Sequence, residues 1–219
     1  MSLLRFIIAD DHPLFRRALY QSVSATFQNS EIDEAGNLDE VLQILTHTID
    51  VDLIFLDLKM PGVHGFSGLL FLRGQFPGIP IAIVSGVDDL AVMRQSISYG
   101  ASSFIQKSAS PAQMSDAFRR IMDGETWLPP GVSSRQLDTT GGDNFSKKIT
   151  LLTPQQFKVL SLMIEGKLNK QISHDMGISL STVKAHVTAV LKKLGYQRRT
   201  QVIAAMQNLA LDDHSDTSR

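Results

Sequence analysis

Three short runs, FIIA at 6–9, LIFL at 53–56 and IAIV at 81–84, are apolar at every position, and helical patterns separate them. A strand with one wet face alternates polar and apolar residues. One that is apolar on both faces must be covered on both, as in a parallel sheet between two layers of helices. With their flanks, strands are expected at Leu4–Ala9, Glu31–Ala35, Leu53–Leu56, Ile81–Ser85 and Ser103–Ile105. Helices are expected at Pro13–Phe27, Leu38–Thr46, Phe66–Phe76, Asp89–Tyr99 and Ser110–Asp123. Pro13 and Pro111 sit where the first turn of a helix tolerates proline, and Gly100 and Gly124 follow helix ends. Five βα units in succession predict an α/β domain with a doubly wound, five-stranded parallel sheet over residues 1–125.

The composition then changes. Residues 128–149 are rich in Pro, Gly, Ser, Thr and Asp without sustained periodicity, so 126–149 is read as a flexible linker. Helical patterns resume at Pro154–Glu165, Lys170–Met176, Ser181–Leu194 and Thr200–Leu209, broken near Gly166, Gly177 and Gly195. They predict a small all-α, four-helix domain over 150–211, followed by a polar, frayed tail at 212–219. A length of 219 residues suits two modest cores. The absence of cysteine excludes disulfides and thiolate metal sites. No apolar run approaches the roughly 20 residues of a membrane span. Asp10 and Asp11 interrupt the first apolar run too soon for a signal peptide. A soluble cytoplasmic protein with no membrane partner is expected.

Charge is unevenly divided. Between Leu151 and Leu211 eight basic residues face two acidic ones, a net of +6; the whole chain carries −1, which leaves −7 for the rest. That split is expected if only one end meets a polyanion.

Asp10 and Asp11 end the first strand and Asp57 ends the third. In an open parallel sheet, ligands collect at the C-terminal strand edge, where the strand order reverses. If strands one and three are neighbours, three carboxylates converge there, a costly arrangement without a cation. Oxygen-only ligands at such an edge suit Mg²⁺, and a carboxylate beside it can act as a nucleophile towards phosphorus. Ser85, after the fourth strand, offers a hydroxyl, and Lys107, after the fifth, an ammonium group. Both can disperse charge on a transferred phosphoryl group.

The segments IIADDHPLFR, LIFLDLKMPG, IVSG and GASSFIQK resemble those of receiver domains of two-component response regulators, and ADDHPLFR is similar to the NarL/FixJ subfamily. The resemblance spans 3–124 and implies a flavodoxin-like fold in which Asp57 accepts a phosphoryl group from a sensor histidine kinase. It further implies that Asp10, Asp11 and Asp57 hold Mg²⁺ with the backbone carbonyl of Lys59, while Ser85 and Lys107 grip the phosphoryl oxygens. Phe104 matches the family's switch aromatic, which turns inward as Ser85 moves; it equally suits an ordinary aromatic packed on the sheet. Serine stands where threonine is common, phenylalanine where tyrosine is common, and no proline follows Lys107. His12, His64 and the Lys59 side chain are expected at the periphery. A phosphatase is not indicated, because Lys59 stands where a second catalytic carboxylate would; no turnover enzyme is expected.

In KQISHDMGISLSTVKAHVTAVLKKLG a short helix meets a turn at Gly177 and Ile178, and a longer helix follows, with Ser179 or Ser181 as its N-cap. Val183, Val187, Val190, Leu191 and Leu194 repeat at helical spacing as its core face. Two helices joined this way form the helix-turn-helix, whose second helix enters the major groove of double-stranded DNA. Small Ala185 and Thr188 permit close approach to base edges, and Lys184 can reach a guanine or a phosphate. Thr182, Lys170 and Lys192 suit phosphate oxygens. The segments LTPQQFKVLSLMIEGKLNKQIS, STVKAHV and KLGYQRRTQ resemble the LuxR-type domain over 151–210, which implies transcriptional control. Gln156 replaces a glutamate usual there, which puts its salt link in doubt. The resemblance also suggests a homodimer surface on the last helix, at Val202, Ile203 and Met206; packing within the domain is the alternative. Phosphorylation is expected to reposition Ser85 and Phe104 and change the surface at Asp89–Tyr99, releasing the reading helix or pairing two receivers.

Overall fold

The computed structural model describes residues 3–48, 50–129, 132, 144–207 and 209. Strands β1 (Leu4–Ala9), β2 (Ser30–Ala35), β3 (Leu53–Leu56), β4 (Ile81–Ser85) and β5 (Ser103–Gln106) form one parallel sheet in the order β2-β1-β3-β4-β5. Between and after them run α1 (Pro13–Thr26), α2 (Leu38–His47), α3 (Ser67–Gln75), α4 (Leu90–Ser98) and α5 (Pro111–Met122). The strands' alternating residues feed two cores. Phe6, Ile8, Phe55 and Val84 pack with Leu19 and Val23 of α1 and Phe118 of α5, whereas Ile7, Ile54, Ile83 and Phe104 belong to the opposite face. Coverage on both faces is why these strands are apolar throughout. The order reverses between β1 and β3, whose ends lie in register at Ala9 and Leu56. The next residues, Asp10 and Asp57, therefore become neighbours.

Local signals set the helix starts. Asn37 accepts a hydrogen bond from the Glu40 backbone N–H, and Ser110 and Thr153 form capping boxes with Gln113 and Gln156. Prolines occupy the first turns of α1, α5 and the later helix α7.

The C-terminal helices are α6 (Asn144–Ile149), α7 (Pro154–Ile164), α8 (Asn169–Met176), α9 (Leu180–Leu194) and α10 (Arg199–Gln207). Part of their core, including Phe157, Leu160, Val190 and Leu194, is continuous with the sheet's second core, whereas Val159, Met163, Ile172 and Val183 form a separate cluster between α7, α8 and α9. The join is α3, where the six consecutive residues from Ser67 to Leu72 are all buried. One side of α3 covers the sheet; the other receives α6 and α7. Phe71 stacks on Phe157 with ring centroids 4.3 Å apart. Gln75 Nε2 donates to the Leu152 carbonyl at 3.0 Å, and Lys158 pairs with Asp39. Gly74 is needed for this approach, since a Cβ there would lie 2.4 Å from the Thr150 carbonyl oxygen. Full burial of each stacked phenylalanine contributes on the order of 2–3 kcal/mol.

One expectation is corrected here. The last six residues of the stretch read as a flexible linker form α6, with Phe145 and Ile149 buried against the rest of the fold. Two apolar residues four apart are too brief a pattern to stand out in sequence, and their partner surface exists only after folding. Before it, Trp127 is tied to β5 through Ser103 Oγ, which donates to its carbonyl at 2.6 Å, and to α5 through Asp116. Residues 130, 131 and 133–143, and the tail read at 212–219, lie outside the described residues. Val202 and Met206 are buried in the intramolecular core and only Ile203 of that trio is half-exposed, so packing accounts for two of the three.

Candidate functional site

Asp10, Asp11, Asp57, Ser85 and Lys107 meet at the C-terminal edge of the sheet. Asp57 is 2% exposed and Asp10 1%. Lys107 Nζ lies 2.7 Å from Oδ2 of both, so one ammonium bridges the ends of β1 and β3. Its backbone N–H donates to the Ser85 carbonyl at 2.8 Å, which ties β5 to β4 at the same level. Asp57 Oδ1 accepts from the Lys59 N–H at 3.2 Å. Ser85 is buried, and its hydroxyl oxygen accepts from the Val87 N–H at 3.2 Å. Arg16 braces the loop after β1, donating from Nη1 to the Asp10 carbonyl at 2.6 Å and from Nε to Glu34 at 3.0 Å. The Phe15 ring lies beneath the Lys107 ammonium, 4.9 Å from centroid to Nζ.

Burial pushes the Asp57 carboxyl above the ordinary aspartate range, although Lys107 and the Lys59 N–H pull the other way. Burial alone would lower the Lys107 ammonium; its close contact with Asp10, its hydrogen bond to Asp57, and the charges of both carry it above the ordinary lysine value. One cation thus serves several anions. Asp10, Asp11, His12 and Asp57 offer ligand atoms all within 4.8 Å of one another. Asp10 Oδ2 is buried and makes no hydrogen bond; its contact with Lys107 is an ion pair without hydrogen-bond geometry. This mostly oxygen donor set fits a hard divalent cation.

Two histidines expected at the periphery differ. His12 Nδ1 enters the cluster, 2.7 Å from Asp11 Oδ1, 3.2 Å from Asp10 Oδ1 and 3.9 Å from Asp57 Oδ2. Its place directly after Asp11 was the available signal. His64 turns towards α7, where it meets Ser161 and Glu165. Phe104 is wholly buried, on the α3 and α4 side of the sheet. No peptide bond among the described residues is cis, the loop after β5 included.

The second candidate site is on α9. Gly177 takes a left-handed conformation that ends α8, and Ser179 is the N-cap of α9, accepting from the Thr182 N–H at 3.1 Å. Val183, Val190 and Leu194 are buried and hold the helix on its domain. Lys184, Ala185, Thr188, Thr182, Lys192 and Lys170 are all exposed. Among the described residues no carboxylate pairs with Lys170, Lys184 or Lys192. This face of α9 is therefore open; of the two expected routes, release of the helix or pairing of two receivers, the second is the one that needs no uncovering of it. In place of the doubtful salt link, Lys193 Nζ donates to Gln156 Oε1 at 2.7 Å and to the Leu151 carbonyl at 2.8 Å.

Comparison with known proteins agrees with both halves. Residues 6–119 match the response regulator receiver domain, and residues 150–206 match the bacterial regulatory proteins of the luxR family. The glycerol metabolism activator of Pseudomonas putida is 43% identical over 206 residues, covering 91% of this chain and 93% of that protein. The transcriptional regulatory protein LiaR of Bacillus subtilis is 29% identical over 201 residues, covering 91% and 94%. A solved structure of the Salmonella typhimurium response regulator RcsB shares the fold, with a TM-score of 0.56 and 22% identity over 95% of this chain and 100% of that one. No helix among the described residues is long and apolar enough to cross a membrane. An all-parallel receiver with an acidic edge, followed by a LuxR-type helix-turn-helix, places this chain among the two-component response regulators that control transcription.

Proposed function

We propose that Asp57 is the phosphoacceptor, that a sensor histidine kinase is the donor, and that the phosphorylated chain regulates transcription as a homodimer on double-stranded DNA. The Lys107 ammonium, 2.7 Å from both buried carboxylates, carries this reading, because it sits where charge builds up on a transferred phosphoryl group. An Asp57 carboxylate oxygen forms the new O–P bond as the donor's P–N bond breaks, and the freed imidazole takes up a proton. Lys107 shifts from the carboxylates to the phosphoryl oxygens, and the Ser85 hydroxyl donates to one of them. Asp10, Asp11, Asp57 and the Lys59 backbone carbonyl would hold Mg²⁺, which would supply neutralisation of phosphoryl charge. The chain is altered by the step and does not turn over, which makes it a signalling element and not an enzyme.

On α9, Lys184, Ala185 and Thr188 read base edges, and Thr182, Lys192 and Lys170 hold phosphates. RcsB, of the same fold, has been solved as two dimers on two parallel DNAs. Coupling runs from Ser85 and Phe104, the switch aromatic, to the α4 face and pairs two receivers, so that two open reading helices bind together with a gain in avidity. An acid-labile phosphate on Asp57, formed with a small phosphodonor and absent from Asp57→Asn, tests the reading. Equal DNA affinity with and without the donor would overturn the coupling.

A further inference from the structure

The loop that follows Asp57 does not stop at the pocket. It crosses to the DNA-binding domain and is pinned there twice. The Gly62 carbonyl accepts from Ser161 Oγ of α7 at 2.8 Å, and the Phe66 N–H donates to the Leu209 carbonyl beyond α10 at 3.2 Å. Between the pins stands His64, whose backbone N–H is held by Ser67 Oγ at 3.0 Å. Its ring points into the seam, and Nε2 is buried without a hydrogen-bond partner.

We propose that His64 is a protonation-sensitive latch of the domain seam: the neutral ring lets the DNA-binding domain dock on the loop, and the imidazolium drives it off.

A neutral imidazole can leave one nitrogen as an idle acceptor at modest cost. An imidazolium has N–H donors at both nitrogens and a full charge, and a buried donor with no acceptor is expensive. The groups facing the ring relieve this only in part. From α7 come the Ser161 backbone carbonyl and the Glu165 carboxylate at the helix end; both favour the charged ring, yet burial outweighs them and holds the imidazole below its ordinary value of 6.5. Glu165 is itself shared with Lys167, 3.5 Å away, which in turn pairs with Asp175 at 2.7 Å. At the start of α3 the Ser67 hydroxyl is already engaged by the His64 backbone N–H. The sign follows: undocking frees the ring to titrate near 6.5, so docking is strongest above that pH and weakens as pH falls towards the lower, docked value. Through that window the docking constant falls by up to about tenfold per pH unit.

The latch needs only the seam and not phosphoryl transfer, so its failure and that of the phosphoacceptor reading are separable. The chain has no cysteine, so two introduced ones label specifically. We would place fluorophores at the exposed Ala25→Cys on α1 and Ala204→Cys on α10 of the full chain. Energy transfer would then be followed from about pH 7.5 to pH 5.5 without a phosphodonor. The expected result is loss of transfer on acidification in the parent, a flat profile for His64→Gln, and low transfer at every pH for His64→Arg. Far-UV circular dichroism of each variant confirms that both domains remain folded. A flat parent profile, a His64→Gln chain that still opens in acid, or a folded His64→Arg chain with the parent's transfer at pH 7.5 would each overturn the proposal.

Discussion

The two sites of this molecule handle charge in opposite ways. At the sheet edge, Asp10 and Asp57 are almost wholly buried, and one ammonium sits 2.7 Å from each. On α9, Lys184 and Lys192 stand in solvent with no carboxylate paired to them among the described residues. Chemistry at phosphorus needs charges held in place and shielded from water, so that no reorganisation is required at the moment of transfer. DNA recognition needs cations that are free to meet phosphates and exchange counterions for them. Buried charge is therefore costly for stability at the first site, whereas exposed charge at the second costs the fold almost nothing. Substitutions should separate the two on that basis.

The largest effect is expected at Asp57. Replacing it with Asn removes the nucleophile, and phosphoryl incorporation from a small donor should fall by at least about 100-fold. The same change should raise stability. Burial holds the Asp57 carboxyl above its ordinary range, so the folded state keeps that proton more tightly than the unfolded chain does. As pH rises through that window, ionising the group costs stability, and Asn avoids the cost. Thermal unfolding in chelator at about pH 7 should show Asp57→Asn melting above the parent. The gap should close as pH is lowered towards the ordinary aspartate value. A variant that melts lower at neutral pH would mean that the ion pair with Lys107 outweighs the burial.

At the exposed site the expected losses are in binding alone. Lys184→Ala should cost about 1–3 kcal/mol of DNA affinity and relax preference at one base pair, as read by competition among operator variants. Lys192→Ala should weaken all sequences alike and reduce the salt slope of binding by about 1. Neither should move the melting temperature measurably. If either does, the reading face is coupled to the core more tightly than its exposure implies.

Why one contrast was visible in the sequence and the other partly hidden follows from the range of the interactions. The runs FIIA, LIFL and IAIV, with proline at the first turns of α1, α5 and α7, mark element ends to within about two residues because those signals are local. The pocket was legible because β1 and β3 need only be neighbours for their terminal aspartates to meet. The seam was not. The notch at Gly74, the Phe71–Phe157 stack and the short α6 acquire meaning only when a second domain arrives. In the sequence, GLLFL is just an apolar helix and FSKKI just the end of a polar stretch. His12 and His64 illustrate the same limit: both looked peripheral, yet one joins the carboxylates and the other the seam.

The smallest expected effect lies between the two extremes, at Gln156. It is the N3 residue of α7, half-buried, closing a capping box with Thr153 and accepting from Lys193 Nζ at 2.7 Å. Every one of these roles would be filled by glutamate with a charge added. A carboxylate in the first turn gains from the helix dipole, and its pairing with Lys193 turns a neutral acceptor into an ion pair. Gln156→Glu should therefore stabilise the chain by about 0.5–1 kcal/mol in denaturant unfolding at low salt. A glutamate paired in this way has a folded pKa below its unfolded one, so the gain is full above the ordinary glutamate range and fades as pH falls through it. High salt should erase much of it. The gain stays small because the amide already satisfies the Lys193 ammonium and because the site is only half out of water. A loss of stability instead would place Gln156 with the buried pocket, where added charge is a cost, and not with the solvated face of α9.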